Sequence, residues 1–411
     1  MKSAKVMTFR EFNPQKLYFL LVVSKICCIF AAENRMIMIT RYLQSQLESL
    51  LDSHKAIVLM GARQVGKSTL LQLLLANRKD VLWLNGDNQD IQTLFTTISA
   101  ERIRLLMGDK HILVIDEAQR IPNIGLQLKI IIDQLPNVQV IATGSSSFEL
   151  ASKVNEPLTG RKREYKLFPL TFNEMVDHAS LLEELRLIQH RLVYGYYPEV
   201  VATPGQEPII LKELTDSYLY RDILMLDKIA KSDKLVLLLK ALAMQIGSQV
   251  SYNELSGLVG IDAKTIERYI SILEQSYIIF RLGSFSRNLR NELKFSKKIY
   301  FWDMGIRNAI IGNFSLAETR PDIGAMWENF AIAERMKQNG YRHPFAQSYF
   351  WRTKQQTEID YIEESDGNLQ AFEFKWNEHK SPRCPAAFSA AYPNATFSVV
   401  TPSNIDDFLR L

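Results

Sequence analysis

The string Gly61-Ala62-Arg63-Gln64-Val65-Gly66-Lys67-Ser68, with Thr69 behind it, constrains this chain more than any other segment. Its spacing is G-x-x-x-x-G-K-[ST], that of a phosphate-binding loop. Such a loop needs a strand before it and a helix after it, and the sequence supplies both. Ala56-Ile57-Val58-Leu59-Met60 is a short apolar run suited to a buried parallel strand. Ser68 to Leu75 is apolar enough to pack as a helix on a sheet. Glycine at 61 and 66 permits backbone angles and close approaches that a side chain would block. Backbone N–H groups then face an anion at the positive end of the helix. Residues 61–69 are therefore the candidate nucleotide-binding set, with Lys67 reaching the β- and γ-phosphates and Ser68 on Mg²⁺.

A second apolar run, Ile112-Leu113-Val114-Ile115, ends in Asp116-Glu117. Each motif supplies what the other lacks, and together they point to a nucleoside triphosphate. ATP and Mg²⁺ are the expected ligand and cofactor. Asp116 would hold the ion, directly or through water, and Glu117 would polarise the attacking water. Seen alone, the acidic pair also reads as a helix cap. Val138 to Ala142 reads as a further strand, ending in Thr143-Gly144-Ser145-Ser146-Ser147. Thr143 and Ser145 are candidate sensors of the γ-phosphate, and the string also reads as a plain serine-rich turn. Leu158-Thr159-Gly160-Arg161-Lys162-Arg163 is basic. Arg161, or Arg163 after it, is a candidate to complete a neighbouring subunit's site in a homo-oligomer. A solvated basic turn explains the same residues.

A chain of 411 residues can hold two or three domains with substantial cores. Its 47% hydrophobic and 23% charged residues are those of a globular protein, and a net charge of +4 permits nucleic-acid contact without demanding it. Cys27 and Cys28 are adjacent and Cys384 is distant, with no C-x-x-C pair, which fits a reducing cytoplasm. Leu17 to Ala32 resembles a signal-peptide core interrupted by Lys25. It is too short and broken for a comfortable membrane span, so no stable insertion is expected. The preferred expectation is translation from Met36 or Met38, with residues 1–35 an upstream extension; a weak membrane anchor is the alternative.

The expected organisation follows the pattern of runs. Strands at 56–60, 81–85, 112–116 and 138–142 alternate with helical stretches, which predicts a parallel α/β domain over 36–170. Residues 171–290 read as helical, with a turn at Gly195 to Glu199 and aromatic packing at Tyr218-Leu219-Tyr220. Within them, 250–282 has the form of a winged helix-turn-helix. Ser251 caps a helix carrying Leu255 and Leu258, Gly260 turns, and 263–275 buries Ile266, Tyr269, Ile270 and Leu273. A wing strand follows at 278–282. The second helix suits a major groove or a protein partner alike. Arg281, Arg287, Arg290, Lys294, Lys297 and Lys298 are the most basic stretch and favour phosphate-backbone contact, so DNA is a candidate partner.

Residues 291–411 hold a second constellation. Glu358 to Ile362 and Leu369 to Lys375 alternate as a hairpin about a turn at Asp366-Gly367-Asn368. Asp360, Glu373 and Lys375 fit D…E-x-K, the arrangement of restriction-endonuclease-like folds, and Glu328 is a candidate third carboxylate. Two carboxylates can bind Mg²⁺ while a lysine steadies developing charge. A salt-bridged hairpin has the same residues.

From about residue 36 onward the chain resembles a prokaryotic family that joins an AAA-like P-loop ATPase domain to a C-terminal domain of unknown function with a restriction-endonuclease-like fold. The resemblance rests on 61–69, on Val-Ile-Asp-Glu-Ala-Gln-Arg-Ile-Pro at 114–122, and on Ala-Thr-Gly-Ser-Ser-Ser at 142–147. It continues through Leu-Thr-Gly-Arg at 158–161, Phe-Pro-Leu-Thr-Phe-Asn-Glu at 168–174, Tyr-Tyr-Pro-Glu-Val at 196–200 and Tyr-Leu-Tyr-Arg-Asp-Ile at 218–223. It ends on Trp-Glu-Asn-Phe at 327–330, Glu-Ile-Asp at 358–360 and Glu-Phe-Lys at 373–375. It implies an α/β P-loop core of the additional-strand AAA type, a winged-helix segment and ATP binding. Three functions stay open: an ATP-hydrolysing switch or motor, an ATP-gated Mg²⁺-dependent DNA nuclease, and a non-hydrolysing regulator.

Overall fold

The computed structural model describes residues 38–51, 53–96, 99–145, 158–216, 232–286, 297–380 and 382–410. The expected extension at 1–35, Ser146, Ser147, the stretch 218–223, and Arg287, Arg290 and Lys294 lie outside the described residues.

The apolar runs of the first half become strands β1 (Ala56–Met60), β2 (Val81–Asn85), β3 (Ile112–Asp116) and β4 (Gln139–Gly144), joined by β5 (Lys162–Lys166). All pair in parallel, in the order β2-β3-β4-β1-β5. Every residue of β1 and β4 is buried, which explains why these runs lack polar alternation. Register sets Met60 beside Gly144 and Asn85 beside Asp116, so the C-terminal ends of the strands share one edge. β4 lies between the strand that feeds the phosphate loop and the strand that ends in Asp116. It also runs two residues further than expected, because Thr143 and Gly144 pair with Leu59 and Met60.

The chain then turns helical. Helix Phe172–His178 opens on a reciprocal cap: Thr171 accepts from the Glu174 N–H, and Glu174 accepts from the Thr171 N–H. Short helices follow at Leu181–Arg186, Ile188–Tyr194, Pro198–Ala202 and Glu207–Leu214, then the longer Ser232–Met244.

The remaining strands form one mixed sheet. They are β6 (Gln249–Val250), β7 (Ile279–Ser284), β8 (Lys297–Phe301), β9 (Gln347–Arg352), β10 (Glu358–Ser365), β11 (Asn368–Phe374) and β12 (Thr396–Val400). Their order is β12-β11-β10-β9-β7-β8-β6. Helices Tyr252–Val259 and Ala263–Gln275 sit between β6 and β7, with Gly260 at φ 74° ending the first and Asp262 capping the second. The second helix buries Ile266, Tyr269, Ile270 and Leu273 as its spacing predicts. Leu258, expected inward, is 61% exposed, and Val259 is buried in its place. β7 pairs with β8 on one side and, through Gly283 and Ser284, with β9 on the other. A single sheet therefore runs through the expected boundary near residue 290. Helix Ile323–Arg342 buries most of its length, including Glu334, Arg335 and Lys337, each of them ion-paired. Among the described residues no helix is long and apolar enough to cross a membrane.

Candidate nucleotide site and a second acidic cluster

The phosphate loop leaves β1 at Gly61, where a Cβ would meet the Leu167 carbonyl oxygen at 2.1 Å. Only glycine fits that crossing. Gln64 and Gly66 take left-handed angles, φ 61° and 93°, which curl the loop ahead of helix Lys67–Leu74. Lys67 is buried, and its Nζ donates to the Gly61 carbonyl at 2.9 Å and the Ala62 carbonyl at 2.8 Å. Burial lowers its pKa to about 8, against the pull of Glu117 and Asp116. Arg63, Gln64 and Thr69 face outward.

Across the shared edge the side chains link up. Ser68 Oγ donates to Asp116 Oδ2 at 2.8 Å, and the Thr143 hydroxyl donates to the other oxygen of Asp116. The Glu117 N–H donates to Thr143 Oγ1 at 3.1 Å, and Ser145 Oγ donates to the Glu117 carboxylate at 3.3 Å. Loop, acidic pair and expected sensors therefore meet at one place, because β4 carries Thr143 between β1 and β3. Ser68 and Asp116 offer two hard oxygen donors. That is a suitable protein share for Mg²⁺, which is commonly held by one or two carboxylates with phosphate oxygens and water completing its shell.

Gln119 and Arg41 are not singled out in the sequence, whereas Gly86-Asp87, directly after the apolar run 81–85, reads there as a loop at the nucleotide face. Gln119 lies in the short 3₁₀ turn Ala118–Arg120 and donates to Glu117 Oε2 and, at 3.1 Å, to Ser145 Oγ. Gly86 packs under the acidic pair: its N–H donates to the Asp116 carbonyl at 2.8 Å, and a Cβ would meet the Glu117 carbonyl oxygen at 2.4 Å. Arg41 reaches the loop from outside the sheet, donating to the Val65 carbonyl at 2.9 Å. The signal for Gly86 was present as the glycine directly after an apolar run, whereas Gln119 and Arg41 stand in ordinary polar surroundings.

Arg161 directly precedes β5, at the end opposite the phosphate loop, and its Nε donates to Asp133 Oδ1 at 2.6 Å. It does not touch its own loop. Arg163 is exposed. The basic stretch is less free than its composition implies. Arg281 is held by Glu274, and Lys298 is buried.

Glu328, Asp360, Glu373 and Lys375 come together between helix Ile323–Arg342 and strands β10 and β11. Lys375 Nζ donates to Glu373 Oε1 at 2.7 Å and lies 4.0 Å from Asp360 Oδ2. Asp360 Oδ2 accepts the Phe374 N–H at 2.9 Å. Glu328 accepts from Lys298 Nζ at 3.0 Å and from the Tyr300 hydroxyl at 2.6 Å. Lys298 also pairs with Glu358 at 2.5 Å. Burial first, then the charge of Asp360, pushes Glu328 up to about 7, with Lys298 opposing. Burial likewise raises Asp360 and Glu373. Among the described residues no three His, Cys, Asp or Glu side chains gather to hold a metal. Here the two lysines neutralise the carboxylates instead.

Residues 53–176 match the family model of an AAA domain. Residues 185–317 and 323–409 match two domains of unknown function, DUF8612 and DUF4143. The chain is similar to an uncharacterized protein of Mycobacterium tuberculosis, 27% identical over 335 residues that cover 80% of this chain and 72% of the relative. It is also similar to one of Methanocaldococcus jannaschii, 22% identical over 344 residues, 78% and 75% of the two chains. Among solved structures, the Walker-type ATPase of Pyrococcus abyssi matches 67% of this chain and 97% of its own, at 18% identity and a TM-score of 0.49. Residues 53–176, with their parallel sheet and phosphate loop, are an AAA-like P-loop domain.

Proposed function

We propose that this chain binds ATP with Mg²⁺ at the phosphate loop and hydrolyses it, as a switch or motor whose C-terminal module contacts nucleic acid or protein. The observation that carries the reading is the hydrogen-bonded line from Ser68 through Asp116 and Thr143 to Glu117. On this reading Lys67 leaves the Gly61 and Ala62 carbonyls for phosphate oxygens, and the loop N–H groups cradle the rest. Ser68 and Asp116 hold the cation, which when bound neutralises charge on the phosphates. Glu117 orients a water for attack, and Thr143 and Ser145 sense the phosphate beside it. Arg161, away from its own loop, would serve a neighbouring copy in a homo-oligomer. Residues 250–282, whose two helices lie between β6 and β7, would act as a winged helix, and the protein would work in the cytoplasm.

The test is direct. Lys67→Ala should remove ATP binding, and Glu117→Gln should bind ATP but turn it over roughly 100-fold more slowly, the scale of a lost general base. Equal turnover in wild type and Glu117→Gln would reject the role given to Glu117. Tight binding with negligible turnover in the wild type would favour the non-hydrolysing regulator.

A second reading is supported by the gathering of Glu328, Asp360, Glu373 and Lys375. It makes the C-terminal region restriction-endonuclease-like and the protein an ATP-gated, Mg²⁺-dependent DNA nuclease. Lys298 speaks against it by occupying Glu328 and Glu358. Incubation with duplex DNA and Mg²⁺ decides: cleavage lost in both Asp360→Ala and Lys375→Ala supports the nuclease.

A further inference from the structure

Arg41 precedes helix Tyr42–Glu48 and is 6% exposed. Its guanidinium donates in three directions. Nη1 reaches the Val65 carbonyl at 2.9 Å, Nη2 the Phe168 carbonyl at 2.7 Å, and Nε the Glu174 carboxylate at 3.1 Å. The Tyr42 N–H adds a bond to the same Glu174 oxygen at 2.8 Å. A buried guanidinium needs partners, and these bonds engage each of its three nitrogens. Packing alone does not explain the choice of the Val65 carbonyl. A trans peptide is planar, with C=O and the next N–H on opposite sides. Holding the Val65 carbonyl toward Arg41 therefore fixes the Gly66 N–H away from it, one residue before Lys67. Glycine at φ 93° leaves that peptide free to rotate otherwise. A rotated peptide would offer a bound phosphate a carbonyl oxygen in place of a donor.

The other partners of Arg41 lead out of the AAA-like domain. The Phe168 N–H donates to the Tyr341 hydroxyl at 3.0 Å, and the Phe172 N–H to Glu334 Oε2 at 2.8 Å. Lys337 Nζ donates to the Leu170 carbonyl at 3.2 Å. All three side chains are on helix Ile323–Arg342, which also carries Glu328. The Phe168 ring packs on Trp302 at 4.5 Å and on Tyr341 at 5.6 Å. The segment 168–174 is thus held by the phosphate loop, through Arg41, on one side and by the C-terminal helix on the other.

We propose that Arg41 is a positioning residue of the nucleotide site, which sets the Val65–Gly66 peptide for phosphate and makes nucleotide affinity depend on the contacts of helix Ile323–Arg342 with segment 168–174. The inference rests on the nucleotide reading above and adds to it a residue and a coupling. Because the Tyr341 hydroxyl holds the Phe168 peptide whose carbonyl Arg41 uses, a change at Tyr341 should register in ATP affinity.

The experiment measures ATP affinity by titration calorimetry on the full chain for wild type, Arg41→Lys, Tyr341→Phe and the double variant, with thermal midpoints alongside. Arg41→Lys keeps the charge but loses the three-way fork, and should weaken ATP about tenfold, the effect of one lost charge-assisted bond. Tyr341→Phe removes only a hydroxyl outside the loop and should weaken ATP about threefold. The double variant should lose less than the product of the two, since both act on one strut. Unchanged affinity in Tyr341→Phe, or losses confined to the thermal midpoint, would overturn the proposal while leaving the nucleotide reading intact. A wild type that binds no ATP would overturn both. If Arg41→Lys does not fold, the affinity of Tyr341→Phe alone decides.

Discussion

Glu117 meets two constraints at one position. Its φ of 49° is left-handed, a conformation that costs a side-chain-bearing residue roughly 1–2 kcal/mol. Hydrogen bonds hold it there: Thr143 takes its N–H, and Gln119 and Ser145 donate to its carboxylate. Strain kept in place by such contacts fixes the direction of a functional group. Gln119, 2% exposed, is the contact whose removal tests this most cleanly. Gln119→Leu keeps a similar volume and deletes the donor. On the ATPase reading its turnover number should fall roughly tenfold or more while KM changes by less than about twofold, because positioning of the carboxylate matters most during the reaction. Steady-state phosphate release measures both, and an unchanged turnover number would remove Gln119 from the machinery. Its role was hidden in the sequence for a physical reason. In Asp-Glu-Ala-Gln-Arg a glutamine looks like the outer face of a helix, and only the 3₁₀ turn after a left-handed glutamate brings it back to the carboxylate.

The turns at the strand ends decide how the edge of the sheet is built. The turn after β2 rests against the turn after β3, and Gly86 is where they touch. In Gly86→Ala the new Cβ would lie 2.4 Å from the Glu117 carbonyl oxygen, with backbone on both sides and no flexible side chain to yield. The expected outcome is a loss of about 2 kcal/mol in stability, read by urea unfolding, together with, on the ATPase reading, impaired turnover as the acidic pair is displaced. A variant as stable and active as wild type would mean that the two turns can part freely. Elements of this kind were legible where the signal is local. β1, β2 and β3 lie where their apolar runs indicate. The hairpin of β10 and β11 turns at Asp366 and Gly367, φ 51° and 79°, the left-handed pair that short hairpins favour. Legibility failed where neighbours decide. Leu258 has helical spacing, yet nothing in its own sequence shows that Val259 is the residue turned to the core. Thr143 reads as a loop residue until pairing with β1 makes it the last strand position but one.

Long-range pairing was the least visible feature, and it governs how the chain should unfold. β7 pairs with β9 in parallel across more than sixty residues of intervening sequence, and no local pattern announces a partner so distant. The same holds for Arg41, whose partners at Phe168 and Glu174 are 127 and 133 residues away. These contacts tie together regions that match three separate family models. Residues from Thr40 to Leu411 cluster as one unit, with the seven-stranded sheet crossing residue 290 and helix Ile323–Arg342 gripping segment 168–174. Multi-domain chains of this length usually melt in separate steps. Here removal of the C-terminal strands would strip β7 of both neighbours and leave the Leu170 carbonyl and the Phe168 and Phe172 N–H groups without their partners. A cut at residue 290 would also bare the buried rings of Phe168, Tyr196 and Phe280, whose partners Trp302, Tyr341, Phe330 and Tyr300 lie beyond it. Each such ring contributes about 1.5–3 kcal/mol by burial, in sum a large part of the margin of an ordinary domain. Calorimetry should therefore show a single transition for the described unit, with calorimetric and van 't Hoff enthalpies in agreement. A chain ending at residue 290 should fail to give a folded AAA-like domain by circular dichroism and ATP binding. Two resolved transitions, or a truncated chain that folds and binds ATP as the full one does, would show that the phosphate loop stands independently of the C-terminal helix.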